Sequence, residues 1–147
     1  MRKLILFGLL IFMGKMTLAQ RIEPAKLKGE WKLVQADMVD QVRSSLAYRQ
    51  AMGEQREAME YKIKRLLENT FYHFQDGDSL HYTDLKEGAI VQQHANFTLD
   101  QDTLLIKKSS KIKKAKIVEL TAARLVIVPI VEGKETMGKM VFEKVRP

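Results

Sequence analysis

The sequence predicts a mainly β protein, an up-and-down antiparallel β-barrel of about eight strands with one long α-helix between the first and second strands. Three observations lead to this fold class. No Pro-, Gly- or Ser-rich linker divides the chain, which indicates a single domain. Residues 42–68 have helical periodicity, and the chain after them alternates in the manner of strands. Turn signals recur there at about the 8 to 12 residue spacing of a barrel or sandwich.

The first nineteen residues are predicted to be a secretory signal peptide. A short basic start precedes an apolar run over residues 4–13, and small residues up to Ala19 then suit a signal peptidase. Lys15 ends the run far short of the roughly 20 apolar residues of a membrane-spanning helix. We therefore expect export to a periplasm or the cell exterior, cleavage after Ala19, and one mature domain over 20–147.

The composition of the mature chain narrows the classes of protein it can belong to. Without residues 1–19 the formal charge falls from +7 to +4, a mild balance that does not by itself predict nucleic-acid binding. The chain has no cysteine, so it has neither disulfides nor a thiol nucleophile. Packing must therefore stabilise the fold. We expect no transmembrane segment in the mature chain.

The first strand is predicted around Trp31, the only tryptophan of the chain. Burying so large a ring contributes a few kcal/mol, which makes an exposed position unfavourable. In a strand that enters a closed barrel, the ring can plug one end of the lumen. Gly29, two residues earlier, allows the chain to pass closely beside it.

The helix is predicted over 42–68, a segment without proline and rich in strong helix formers. Its apolar residues recur at helical spacing and fall on one face. They are Tyr48, Met52, Met59, Ile63 and Leu66. Gly53 is the one unfavourable residue, at a cost of up to about 1 kcal/mol relative to alanine, and a bend or break there stays open.

The later strands are predicted from their turns. Two aromatic-rich runs flank 76–77, an Asp-Gly pair that is a strong hairpin signal. Further turns are predicted at 100–102, 121–123 and 132–134, each between alternating apolar runs. The last strand is expected within 138–145. Strands joined in sequence by such short turns favour up-and-down order.

These segments together resemble the lipocalins. Gly29-Glu30-Trp31 matches their Gly-X-Trp opening. FYHFQDG at 71–77 resembles the aromatic strand and Asp-Gly turn of the small lipocalin-like domains of bacterial exported proteins. FTLDQDTLLI, IVELTAARLVI and MVFEKV resemble their later strands in the same order. The resemblance covers about 27–145 and implies a calycin-type β-barrel. The helix departs from the classical lipocalin plan, where that connection is mainly a loop.

The resemblance also implies how the barrel is closed. In lipocalins the tryptophan commonly packs against a basic side chain from the last strand. By matching position, Arg146 is the first candidate here and Lys144 the second. A cation over an indole ring contributes about 0.5–2 kcal/mol. Gly29, Trp31 and Arg146 are therefore expected to be structural residues that close the barrel.

The resemblance further implies binding of a small hydrophobic or amphipathic ligand inside the barrel. Inward aromatic and methionine side chains are the candidate lining. They are Tyr72, Phe74, Tyr82, Phe97, Met140 and Phe142. Because the sequence does not fix strand parity, the opposite face with Phe71, His73 and His81 is the alternative. If these rings are plain core, the protein is instead a non-catalytic structural or interaction module of the bacterial cell envelope with a filled barrel.

No catalytic motif appears, and neither an enzyme nor a cofactor is expected. The Gly-X-Ser-X-Gly elbow, the His-Glu-X-X-His zinc motif and the phosphate loop are all absent from the sequence. His73, His81 and His94 fall on neighbouring predicted strands and suggest an open zinc site as an alternative to ordinary strand histidines. The ordinary assignment is favoured, so no metal is predicted.

Six lysines flank a predicted hairpin tip at 109–110. They are Lys107, Lys108, Lys111, Lys113, Lys114 and Lys116. Such lysines solvate an exposed hairpin and discourage edge pairing. The alternative is contact with an anionic envelope surface, such as phospholipid or acidic polysaccharide. No aromatic residue interleaves them as a base-stacking platform requires, so nucleic acid is not expected.

Overall fold

The computed structural model describes residues 21–136 and 138–146, except the side chains of Asp84 and Leu85. The predicted signal peptide lies outside these residues and stays a prediction. Helices and strands follow in the order α1 (Pro24–Leu27), β1 (Gly29–Ala36), α2 (Asp37–Ser44), α3 (Leu46–Gln50), α4 (Glu54–Asn69), β2 (Phe71–Phe74), β3 (Ser79–Lys86), β4 (Ala89–Asp100), β5 (Thr103–Lys108), β6 (Lys111–Leu120), β7 (Arg124–Val131), β8 (Lys134–Glu135) and β9 (Met140–Lys144).

Eight of the strands form a closed antiparallel barrel. Each strand from β1 to β7 pairs with the next along the chain, β7 also pairs with β9, and β9 pairs with β1. The two-residue β8 pairs only with the end of β7. The predicted fold class, an up-and-down barrel of about eight strands, is confirmed.

Alternation along the strands produces one core inside the barrel. On β5, Leu104 and Ile106 are buried, whereas Lys107 between Ile106 and Lys108 is exposed. Side chains of a strand point alternately to its two faces, so one face supplies the interior and the other faces solvent or the helices. Buried residues from all eight barrel strands, including Trp31, Phe74 and Leu125, join in a single hydrophobic cluster.

The helical connection differs from the single long helix predicted over 42–68. Ser45 is extended, with φ −65° and ψ 153°, and its Oγ accepts a hydrogen bond from the Tyr48 backbone N–H. This side chain therefore caps a new helix and does not continue the old one. Gly53 makes the second break, at φ 54° and ψ −129°. Met52, predicted on the buried face, is 81% exposed as a result.

Of the three helices between β1 and β2, α4 covers the barrel wall. It packs against β1, and Ile63 is buried within the core cluster. Its end is fixed to the strands by Thr83 on β3, whose hydroxyl accepts from the Phe71 backbone N–H and donates to the Asn69 carbonyl. No helix among residues 21–136 and 138–146 is long and apolar enough to cross a membrane.

Candidate functional site

The six side chains proposed as the interior lining all belong to the core cluster or pack against it. They are Tyr72, Phe74, Tyr82, Phe97, Met140 and Phe142. Phe74 and Phe142 are fully buried, and Tyr82 is 9% exposed. The alternative face, with Phe71 and His81, lines a groove on the outside of the barrel instead.

Aromatic rings fill the middle of the barrel. The Tyr72 ring lies at centroid distances of 4.9 Å from Phe142, 5.8 Å from Tyr82 and 6.2 Å from Phe74. Phe74 in turn meets Phe97 edge to face at 5.0 Å. Pairs of this kind contribute about 0.5–1.5 kcal/mol each beyond the area they bury. These rings therefore belong to the packed core. A ligand site must then lie at one end of the barrel.

The floor of the barrel, as we call the end around Trp31, is sealed. The indole is fully buried, and its Nε1 donates a 2.7 Å hydrogen bond to the carbonyl of Leu27 at the end of α1. Lys144 Nζ lies 5.2 Å from the centre of the ring.

The cation over the indole is Lys144, not the first candidate, Arg146. Lys144 is the direct antiparallel partner of Trp31, and residues opposite one another across a pair share a face. Arg146 lies two residues beyond the end of β9 and is exposed. The expectation for Arg146 was wrong because matching position alone does not give the strand register.

Gly29 is required by this contact. Its φ of 118° is one that side-chain-bearing residues rarely adopt. A Cβ added there would also lie 2.8 Å from Lys144 Cε. The lysine stem therefore crosses the space that any other residue at position 29 would fill.

The opposite end, which we call the mouth, has a pocket of about 330 Å³. Tyr82 and Ile106 of the core form its apolar part. The rest of its lining comes from the tips of two hairpins, at Lys86, Lys108, Ser109, Ser110, Lys111 and Lys113. We refer to Lys86, Lys108, Lys111 and Lys113 as the mouth lysines. This pocket joins an aromatic interior to a basic rim.

Strand parity divides the six predicted hairpin lysines into two sets. Lys113 is the cross-strand partner of Ile106, and Lys111 that of Lys108, so these lysines share the inner face. Lys107, Lys114 and Lys116 alternate with them on the outer face. From the sequence the six lysines were treated as one set, whereas the strand register places them on two opposite faces of the hairpin.

The outer set is partly neutralised within the chain. Lys116 Nζ lies 2.8 Å from Glu135 Oε1 on β8. The hydrogen bond and charge of Glu135 raise the pKa of Lys116 above its ordinary value. This lysine is therefore held by an internal partner.

The three histidines form one cross-strand row on the outer wall. His73 is paired with His81, and His81 with His94, with ring centroids 6.4 and 4.1 Å apart. Burial, followed by the charges of His94 and His73, lowers the pKa of His81. As placed, no three His, Cys, Asp or Glu side chains of the described residues could hold one metal ion.

A second polar cluster joins the helices, and none of its residues lines the mouth pocket. Arg43 of α2 donates two hydrogen bonds to the Glu60 carboxylate of α4, at 2.9 and 3.1 Å, and Tyr48 Oη of α3 donates another. Arg43 and then Tyr48 lower the pKa of Glu60 to about 2. The same hydrogen bond raises the pKa of Tyr48. Arg43, Tyr48 and Glu60 bond to one another, so we assign this cluster a structural role.

Sequence reasoning missed two parts of the mouth, Lys86 and Ile106. A signal for both was present. Leu80 and Tyr82 are buried at alternate positions of β3, and the same parity leads through position 84, an aspartate, to Lys86. Leu104 and Ile106 lead to Lys108 in the same way. On β5 the inward apolar series ends directly in lysine, which indicates a basic rim around an apolar lumen.

Comparisons with known proteins agree with this architecture. A family model described as a lipocalin-like domain matches residues 27–127. None of the curated proteins compared with the chain matches it.

Several solved structures are similar to the chain. A lipocalin-like protein from Bacteroides uniformis is 18% identical, with 82% of this chain and 99% of that one covered and a TM-score of 0.48. A protein from Bacteroides eggerthii is 16% identical, with coverage of 81% and 99% and a TM-score of 0.47. Bovine odorant-binding protein in complex with undecanal is 18% identical, with coverage of 86% and 76% and a TM-score of 0.45.

Proposed function

Because the chain belongs to the lipocalin-like domain family, we propose that it is an exported binding protein that takes a small hydrophobic or amphipathic ligand through the mouth of its barrel. The proposal is of reversible binding, without catalysis. The export part comes from the signal-peptide pattern of residues 1–19 alone.

One observation carries the binding proposal, namely that the mouth pocket reaches the aromatic core. Tyr82 lines the pocket and also lies 5.8 Å, centroid to centroid, from Tyr72 in the middle of the barrel. Ile106 beside it belongs to the same core cluster. A volume of about 330 Å³ lies at the lower end of the roughly 300–1,000 Å³ of small-molecule sites.

The ligand would gain its free energy from leaving water. About 25 cal/mol is gained per Å² of apolar surface removed from solvent, so an acyl chain or flat apolar ring suits this pocket. Further depth requires the Tyr72 and Tyr82 rings to move, since Phe74 and Phe142, which the Tyr72 ring contacts, are fully buried. The floor, with Trp31 sealed against Leu27, stays closed.

The test is titration of the purified mature chain with N-phenylnaphthylamine, a neutral dye whose fluorescence rises in apolar sites. We expect saturable binding that lauryl alcohol reverses. Ile106→Trp fills the mouth and should weaken binding about tenfold, equivalent to about 1.4 kcal/mol. Ile112→Trp adds the same ring on the hairpin at a residue that is 56% exposed, and should change nothing.

Absence of saturable binding would contradict the proposal, as would equal affinity in a folded Ile106→Trp variant. The filled middle of the barrel would then favour the second candidate function, a structural or interaction module of the cell envelope. Its supporting observation is the full burial of Phe74, Phe142 and Leu80.

A further inference from the structure

We propose that the mouth selects an anionic amphiphile, whose carboxylate or phosphate headgroup is held by the mouth lysines while its chain enters toward Tyr82 and Ile106. This inference rests on the proposed function and adds the chemical class of the ligand. It depends on where charge lies relative to the apolar part of the pocket.

Two hairpins bring the mouth lysines together. The β3–β4 hairpin extends beyond the β5 pairing, because residues 89–95 of β4 pair with β3 but not with β5. Lys86 stands at the tip of this hairpin, and Lys108 and Lys111 flank the tip of the β5–β6 hairpin. All line the same pocket. An anion entering there meets lysines from both sides.

The arrangement has an energetic cost that an anion would remove. Lys108 and Lys111 are direct antiparallel partners, and like charges opposite one another destabilise a strand pair. None of the mouth lysines is in an ion pair with any of the side chains that the structure describes. On the outer face of the same hairpin, by contrast, Lys116 is paired with Glu135. Among the described side chains, the inner lysines of this hairpin thus differ from Lys116 in having no carboxylate partner.

Hydroxyl groups extend the headgroup site. Ser109 and Ser110 line the pocket between Lys108 and Lys111. A hydroxyl donates a hydrogen bond that a carboxylate or phosphate oxygen accepts, and bonds to an ionised acceptor are about twice as strong as neutral ones. The core side chains Tyr82 and Ile106 provide the apolar half. A free small anion would leave that half uncovered, so an amphiphile is the better match.

The experiment compares three ligands with the same chain and different heads by isothermal titration calorimetry, near neutral pH and below micelle formation. They are lauric acid, lauryl phosphate and lauryl alcohol. We expect the two anions to bind the mature protein at least about tenfold more tightly than the alcohol. Added salt should weaken the anions alone, because it screens exposed charges.

Two double variants locate the effect. Lys111→Gln with Lys113→Gln removes two mouth charges and should abolish the preference for the anions while lauryl alcohol binds as before. Lys107→Gln with Lys114→Gln removes the same charge from the outer face and should leave the preference intact. All four substituted side chains are exposed, and thermal unfolding followed by circular dichroism checks that each variant folds.

The outcomes separate this inference from the proposed function. Equal binding of all three ligands would overturn the inference and leave the carrier proposal standing. Equal loss in both double variants would assign the effect to overall charge, as on an anionic membrane surface, and would also overturn it. If no ligand binds, the carrier proposal and the inference fail together. A stronger response to lauryl phosphate than to lauric acid would identify phosphate as the preferred head.

Discussion

At the scale of single residues, Trp31 determines how the barrel is closed. Its indole N–H is satisfied by the Leu27 carbonyl, its face is covered by Lys144, and it has no exposed surface. A buried polar group is tolerated when it is hydrogen-bonded, and this one is. Glycine is therefore required at position 29, since a side chain there would clash with Lys144.

Replacing Trp31 tests this role. Trp31→Ala should lower the free energy of unfolding by about 3–5 kcal/mol, the range for removing a buried aromatic side chain. Urea unfolding followed by far-ultraviolet circular dichroism measures it, because the variant has no tryptophan fluorescence. Lys144→Met keeps the stem over Gly29 but removes the charge, and should lose only about 0.5–2 kcal/mol. A loss below about 1 kcal/mol for Trp31→Ala would contradict the sealed floor.

The burial of this ring was predictable from the sequence, whereas its partner was not. A lone tryptophan in an apolar strand after Gly29 already indicates burial. Which cation covers it depends on the register of β1 with β9, and the shift at Leu33/Gln35 alters that register. A bulge of this kind is set by tertiary pairing and has no local sequence signal here.

At the scale of elements, the helical connection shows where local propensity fails. Strong helix formers run through 42–68, but Ser45 caps the next turn and Gly53 adopts φ 54°. The resulting pieces are held together by side chains. Arg56 donates to the carbonyl of Arg49 at 3.2 Å, and Arg43 reaches Glu60 across α2 and α4. Long-range contacts of this type are not visible in periodicity, which explains why a single helix was expected.

The Glu60 cluster predicts a dependence of stability on pH. The pKa of Glu60 falls from 4.5 to about 2 on folding, chiefly through Arg43. A lowered carboxyl pKa stabilises the fold above the unfolded value and loses that effect as pH falls through the folded value. The melting temperature of Glu60→Gln should therefore be below that of the unmodified protein near neutral pH. The gap should shrink below pH 4.5 and close near pH 2.

Glu57→Gln is the matched control for this prediction. It removes the same charge from α4, at a residue that makes no ion pair within the described part of the chain. Its melting temperature should not show the closing gap. A difference between Glu60→Gln and the unmodified protein that stays constant from neutral pH to pH 2 would mean that the carboxylate is not coupled to folding.

At the scale of the whole molecule, the barrel has one closed and one basic end. Closure removes exposed sheet edges, and the chain reaches it without cysteine, so packing around the Tyr72 and Phe74 rings stabilises the fold. Strand number and order were predictable from turn signals at 76–77, 100–102 and 121–123. The face of the hairpin on which each lysine lies was not predictable from the sequence. It depends on which residues pair across the strands, and that register is set when the barrel closes. That division at Lys107 and Lys108 is what distinguishes the proposed site from a general basic surface.

The last prediction concerns export, since a periplasmic or secreted binding protein must first cross a membrane. When the full chain is produced in a Gram-negative host, we expect a periplasmic product whose N-terminus, read by mass spectrometry, is Gln20. Ile22, two residues after this N-terminus, packs against the core. Replacing Leu9 and Leu10 by arginine interrupts the apolar run and should leave an uncleaved cytoplasmic chain. Retention of Met1 in the unmodified periplasmic product would contradict cleavage after Ala19. A cytoplasmic location would contradict export itself.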